Sequence, residues 1–207
     1  MNTNLEVTPL AANNSHIRQK IRAARQRLTA EQQTKAAIAA AHNALTQLTQ
    51  HGATKVALYL TNDGELDTAP LIELLWQQGV QVYLPRLHPF SAGNLLFLRY
   101  DKTTTLEKNS LGIWEPKLDL RQMLLIHQLD VVITPLVAFD TTGNRMGMGG
   151  GYYDRTLANW RTDQRPLPIG YAHDCQQVDK LAKQHWDIPL PYIITPTQYH
   201  CFTQPCR

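Results

Sequence analysis

Cysteine is scarce in this chain: Cys175, Cys201 and Cys206 are the only three in 207 residues, an odd number without a CxxC pair. That argues against a disulfide framework and for a reducing compartment. Charge is modest too. Charged residues make up 18% and the formal net charge is +3, too little by itself to imply a nucleic-acid partner. No stretch approaches the ~20 apolar residues of a membrane span. The first residues, Met1 to Ser15, lack the charged start and apolar run of a secretory signal. The expectation is a cytoplasmic protein with neither membrane nor nucleic acid as partner. None of the eight histidines has metal-ligand spacing with another.

What is present suits one globular domain. Hydrophobic residues reach 43% over a length that can bury a full core without a staple. Residues 1–14 are polar and aperiodic and read as a disordered tail; 15–200 read as a single α/β domain and 201–207 as a C-terminal tail. Ser15 is placed to cap a helix whose stripe is Ile17, Ile21, Ala24 and Leu28. Thr29 with Gln32 reads as a capping box for a second helix, to about Gln50. Apolar runs at Lys55–Leu60, Val80–Leu84, Leu95–Tyr100, Val131–Thr134, Leu167–Tyr171 and Tyr192–Thr195 read as strands. Helices are expected from Thr68, with Pro70 in the first turn, over Asp119–Gln128, and over Tyr152–Trp160. Strands alternating with helices predict a mostly parallel sheet covered on both faces, a three-layer α/β sandwich.

The segment from Asp130 to Thr156 carries the most chemistry. A buried strand ends at Thr134-Pro135, a polar turn spans Asp140 to Asn144, and Arg145-Met146-Gly147-Met148-Gly149-Gly150-Gly151 runs into a helix at Tyr152. Four glycines in five positions carry an entropic cost that needs a reason, and close approach of a phosphate to free N–H groups is one. A tight structural turn is the other. Arg145 offers a fork matched to phosphate oxygens, and Asp154 offers a carboxylate for a magnesium ion. The loop is neither a P-loop, lacking Gly-Lys-Ser/Thr, nor a dinucleotide fingerprint.

These residues resemble the signature of the 5-formyltetrahydrofolate cyclo-ligase family, and enterobacterial members in particular. The resemblance extends through VALYLTNDGELDT (Val56–Thr68), VYLPR (Val82–Arg86), LGIWEPK (Leu111–Lys117), DVVITPLVAF (Asp130–Phe139), PIGY (Pro168–Tyr171) and WDIPLPYIITP (Trp186–Pro196), in order. It implies a fold like that of ribose-phosphate isomerases and CoA transferases. It also implies ATP- and Mg²⁺-dependent closure of 5-formyltetrahydrofolate, with or without a polyglutamate tail, to 5,10-methenyltetrahydrofolate, by a monomer or homodimer. Carried over by position, Arg145 is catalytic. Arg18, Arg145, Met146, Gly147, Met148, Gly149, Gly150, Gly151, Tyr152 and Tyr153 bind ATP. Asn62, Asp67 and Met148 to Tyr152 bind the folate, and Asp154 and Asp187 hold magnesium. Asn14 stands where many relatives carry a nucleotide-site lysine.

The first helix carries Arg18, Arg22 and Arg25 at helical spacing. They read as a solvated face, as an attraction for ATP and the folate tail, or as an RNA contact, the last weakened by the small net charge. His173 and Asp174 follow a strand at a sheet edge where ligands gather, and Trp114 is placed either to stack on a ligand or to pack. Cys175 has no base beside it to make it a nucleophile. Two further readings stand beside the ligase: a non-catalytic sensor of a phosphate-bearing ligand, and an RNA-binding accessory protein.

Overall fold

The computed structural model describes residues 9–161, 164–182 and 187–202. Two long helices, α1 (Pro9–Gln26) and α2 (Ala30–Gln50), lead into β1 (Lys55–Ala57), α3 (Ala69–Gln77), β2 (Gln81–Leu87) and β3 (Leu95–Tyr100). A hairpin of β4 (Leu106–Lys108) and β5 (Trp114–Pro116) follows, then β6 (Met123–Leu124) between two single 3-10 turns. The second half holds β7 (Val131–Thr134), β8 (Ala138–Asp140), β9 (Arg145–Met146), α4 (Tyr152–Thr156), β10 (Leu167–Tyr171), β11 (Gln177–Val178), β12 (Tyr192–Ile194) and β13 (Tyr199–Cys201).

The short apolar runs alternate, and the alternation decides which core each residue joins. Val56, Leu58, Val131 and Ile133 enter one buried cluster with Ala40, Ala41, Ala44 and Leu48 of α2 and Leu71, Ile72 and Leu75 of α3. Ala57 and Val132 turn to the other face and meet Tyr83, Phe97 and Leu129. Both faces are therefore covered, and the sheet between them has eight strands in the order β13-β12-β10-β7-β1-β2-β3-β6. The run from β12 to β2 is parallel, and β13, β3 and β6 are antiparallel additions at the edges. This is the mixed α/β architecture with a mostly parallel sheet that the sequence predicts. A second sheet, β11-β8-β9, and the β4–β5 hairpin stand apart from it. The strands of both are two or three residues long, too short to show a period.

Several boundaries differ from expectation. α1 begins at Pro9, so Ser15 is an interior residue, and residues 1–8 of the expected tail lie outside the described part. The capping box of α2 forms as read: Gln32 N–H donates to Thr29 Oγ1 at 3.2 Å and Thr29 N–H donates to Gln32 Oε1 at 2.9 Å. Thr68 does not cap α3 with its side chain. Its hydroxyl donates to the Tyr59 carbonyl at 2.6 Å, while Asp67 Oδ1 accepts the Ala69 N–H at 3.0 Å. Asp119–Gln128 is not a helix. Met123 and Leu124 are drawn into register with Leu98 and Phe97 of β3, and the flanking residues close into separate turns held by Asp119 and Gln128 side chains; sheet pairing overrides helix propensity. α4 ends at Thr156 rather than Trp160. At the other end the domain runs past residue 200, because Cys201 lies in β13 and Phe202 packs against the buried cluster of Leu136, Phe139 and Ile193. Residues 203–207 of the expected C-terminal tail lie outside the described part.

Gly170 shows how tightly the sheet meets the loop after β7. A Cβ added there would lie 2.8 Å from Ile193 and Leu190 side-chain atoms and 2.9 Å from Leu136. Gly170→Ala is expected to destabilise the fold by about 1–3 kcal/mol through overpacking, read as a lower midpoint in urea unfolding. An unchanged midpoint would show that the neighbours give way freely.

Candidate functional site

The site begins with a carboxylate that never reaches it. Asp140 is 1% exposed. Its two oxygens accept from the N–H groups of Thr142 (2.9 Å), Asn144 (3.1 Å) and Leu181 (3.0 Å), from the Thr142 hydroxyl (2.8 Å) and from the Asn144 amide (3.0 Å). Burial alone would lift its pKa, but these donors outweigh burial and hold it below the ordinary carboxylate range. The turn so organised delivers Arg145 at the start of β9, paired with Phe139 of β8.

Arg145 is buried, with 3% of its side chain exposed. Its Nη2 donates to Asp154 Oδ1 at 2.5 Å and its Nη1 to the Ile188 carbonyl at 3.4 Å. Burial pulls its pKa down, and the fields of Asp154, Tyr153 and Asp187 oppose that pull. A guanidinium starts so high that it stays charged. Asp154 and Asp187, far apart in sequence, therefore converge on one cation. Among the described residues no group of three or more His, Cys, Asp or Glu is arranged to hold a metal. One or two carboxylates suffice where a nucleotide's phosphates complete the set, so the donors present fit magnesium in that form.

From Arg145 the chain runs through Gly147–Gly151. Arg18 reaches over from α1, its Nε donating to the Gly147 carbonyl at 2.9 Å. Gly149 and Gly151 have φ of 99° and 64°, which side-chain-bearing residues rarely adopt. Among the described residues, no backbone acceptor meets the N–H groups of Gly147 to Gly151, so they remain free to donate. α4 is a single turn, so its dipole adds little.

The opposite wall is the loop after β1, and α1 pins it. Asp63 takes Arg22 Nε at 2.6 Å, Arg25 Nη2 at 3.1 Å and the Gln26 amide at 3.1 Å; its carbonyl takes Arg25 at 3.0 Å. Asp63 sits at φ 50°. Arg25 is fully buried, so the basic helix is not one solvated face. The pinned turn aims Glu65 into the cavity, its Oε2 accepting the Asn62 N–H at 3.1 Å, and desolvation lifts its pKa from 4.5 to about 7.

The third wall is the β4–β5 hairpin. Glu115, buried, accepts the Leu87 N–H and the Asn109 amide at 3.0 Å each and pairs with Arg86 at 3.1 Å. That holds Leu111, Ile113 and Trp114 along the cavity, with Leu111 and Trp114 half exposed. The three walls enclose about 510 Å³, a size suited to a small molecule.

Of the residues singled out from sequence, Asn62, Arg145, Gly147, Met148, Gly150, Gly151, Tyr152, Tyr153 and Asp154 line this cavity. Arg18, Gly149 and Asp187 stand beside it rather than on its wall. Two further residues expected at the site do not line the cavity. Met146 packs in the buried cluster of Ile21, Val137 and Leu181, since β9 turns it inward. Asp67 is turned to the start of α3 and the Thr61 hydroxyl (2.9 Å), away from the cavity. Glu65, two residues earlier, lines the cavity instead; with polar neighbours on both sides, the sequence carries no signal of which residue faces inward. His173 is buried and does not line the cavity.

A mostly parallel α/β sheet carrying a cavity with a free-amide glycine loop, a buried arginine and an apolar wall suits an enzyme that acts on a small molecule. Comparison with known proteins narrows the class. The model of the 5-formyltetrahydrofolate cyclo-ligase family matches residues 11–196, and the chain belongs to that family. It is 56% identical to the Escherichia coli K12 5-formyltetrahydrofolate cyclo-ligase, over 86% of this chain and 97% of that one. It is 51% identical to the Haemophilus influenzae protein of the same name, over 84% and 92%. The NMR structure of Aquifex aeolicus 5,10-methenyltetrahydrofolate synthetase superposes with a TM-score of 0.78 at 26% identity, over 94% of this chain and 95% of that one.

The raised Glu65 pKa has a stability consequence. Between pH 4.5 and about 7 the folded state keeps a proton that the unfolded state has lost, so this group's contribution falls as pH rises through that window. Glu65→Gln, which cannot ionise, is expected to gain stability relative to the parent between pH 5 and 7.5 in urea unfolding. A difference independent of pH would show that Glu65 titrates as an ordinary surface acid.

Proposed function

We propose that this protein closes 5-formyltetrahydrofolate to 5,10-methenyltetrahydrofolate using ATP, with release of ADP and phosphate. The observation that carries the reading is the buried Arg145 guanidinium on the cavity wall, next to a loop of free backbone N–H groups and beside Asp154 and Asp187. Phosphoryl transfer needs little covalent help from a protein, and positioning and charge neutralisation dominate.

In this reading the formyl oxygen attacks the terminal phosphorus of ATP and ADP leaves. Nitrogen ten then attacks the activated carbon, loses its proton, and the carbon–oxygen bond breaks as phosphate departs. Arg145 and the N–H groups of Gly147 to Gly151 meet the charge on the transferring oxygens, with Arg18 holding the loop from behind. Asp154 and Asp187 would hold Mg²⁺, which supplies charge neutralisation on the phosphates when bound. Trp114, Ile113 and Leu111 offer an apolar face for the folate, and Asn62 and Glu65 offer polar groups to its ring. The substrate is taken with or without a polyglutamate tail, by a monomer or homodimer in the cytoplasm; no helix among the described residues is long and apolar enough to cross a membrane.

Mixing the protein with 5-formyltetrahydrofolate, ATP and Mg²⁺ should produce the near-ultraviolet absorbance of the methenyl product only when all are present. Arg145→Ala is expected to lower turnover at least ~100-fold, the scale of removing one electrostatic transition-state group. Near-parental turnover in that variant would sink the assignment of Arg145.

A further inference from the structure

Against the glycine loop, but not on the cavity wall, lies a second arginine. Arg155 is exposed and does not line the cavity. Among the described residues it has no carboxylate partner, and its charge is spent on backbone carbonyls. Its Nε donates to the Gly93 carbonyl at 3.0 Å, its Nη2 donates to the Gly150 carbonyl, and its guanidinium lies over the Tyr152 ring, 5.7 Å from the centroid.

The space it fills is built from glycines. A Cβ on Gly93, at φ 81°, would collide with the guanidinium, and one on Gly151, at φ 64°, would come within 3.0 Å of Nη1. The turn after β2 and the loop before α4 thus both leave room for one side chain. A trans peptide points its carbonyl and its N–H in opposite directions. With the Gly150 carbonyl turned toward Arg155, the Gly151 N–H of the same peptide is turned away from it, in a stretch where Gly150 and Gly151 both line the cavity. Arg18 does the same for the Gly147–Met148 peptide from the α1 side.

We propose that Arg155 is a positioning residue of the nucleotide site: its fork joins Gly93 to Gly150 and so keeps the Gly151 N–H aimed at the phosphates. This rests on the ATP-dependent reading above. The geometry needs a planar fork reaching two carbonyls, which a lysine's single ammonium does not supply.

The test measures steady-state kinetics of the full chain with 5-formyltetrahydrofolate, Mg²⁺ and ATP. Arg155→Ala is expected to raise KM for ATP about tenfold, the scale of one hydrogen bond to a charged group. KM for the folate should move less than twofold and the urea midpoint should not move. Arg155→Lys should resemble Arg155→Ala. Gly93→Ala, which evicts the guanidinium, should raise KM for ATP alike, and adding it to Arg155→Ala should change nothing further. Parental KM for ATP in Arg155→Ala, full rescue by lysine, or additive effects in the double variant would each overturn the proposal while leaving the ligase reading intact. A parental protein that binds ATP but forms no methenyl product would overturn both.

Discussion

The site depends on keeping one buried positive charge satisfied. Removing a guanidinium from water carries a penalty of several kcal/mol unless opposite charge and acceptors replace the lost hydration. For Arg145 the replacements come from two separate places: Asp154 on α4, and the Asp187-Ile188 segment, which supplies a carbonyl and the field of a carboxylate. The chain is arranged to bring them together. Asp140 shapes the turn before Arg145, and the Gly143 carbonyl in that turn accepts the Leu190 N–H at 2.9 Å, fixing the segment after Asp187. The structural carboxylate and the buried cation lie in one small sheet, β11-β8-β9, separate from the large one.

Around that charge the cavity divides its labour by wall. The glycine loop presents main-chain donors, and the arginines behind it hold its carbonyls. The β4–β5 hairpin presents apolar side chains, kept in place by the buried Glu115–Arg86 pair rather than by sheet contacts with the body. The loop after β1 presents Asn62 and Glu65 from a turn held in a left-handed conformation by α1. Strong polar networks therefore lie behind the surfaces that face the ligand, where they rigidify without competing for it.

The central strands were legible because their apolar residues alternate and stop at turn residues, as at Val131–Thr134 and Leu167–Tyr171. The glycine loop and Arg145 were legible because four closely spaced glycines have few purposes. What escaped was set by long-range pairing. Met123-Leu124 reads as helix until β3 captures it. Arg25 shares helical spacing with exposed residues, and only the distant Asp63 explains its burial. Asp67 and Glu65 are interchangeable on paper, and the Arg25–Asp63 pinning decides which one turns inward. The β4–β5 hairpin, three residues to a strand, had no pattern to read.

α1 touches two walls of the cavity, through Arg18 to Gly147 and through Arg22 and Arg25 to Asp63. Arg18 and Gly147 are 129 residues apart in the chain. A growing chain leaves the ribosome from its beginning, so this helix emerges long before the loop it braces. Its apolar residues Ile17 and Ile21 pack on Val137, Ala138, Met146 and Leu181, which are also made late. The site is therefore complete only once the later part of the chain has been made, since the brace lies near one end of the message and the loop and the carboxylates beside Arg145 lie toward the other.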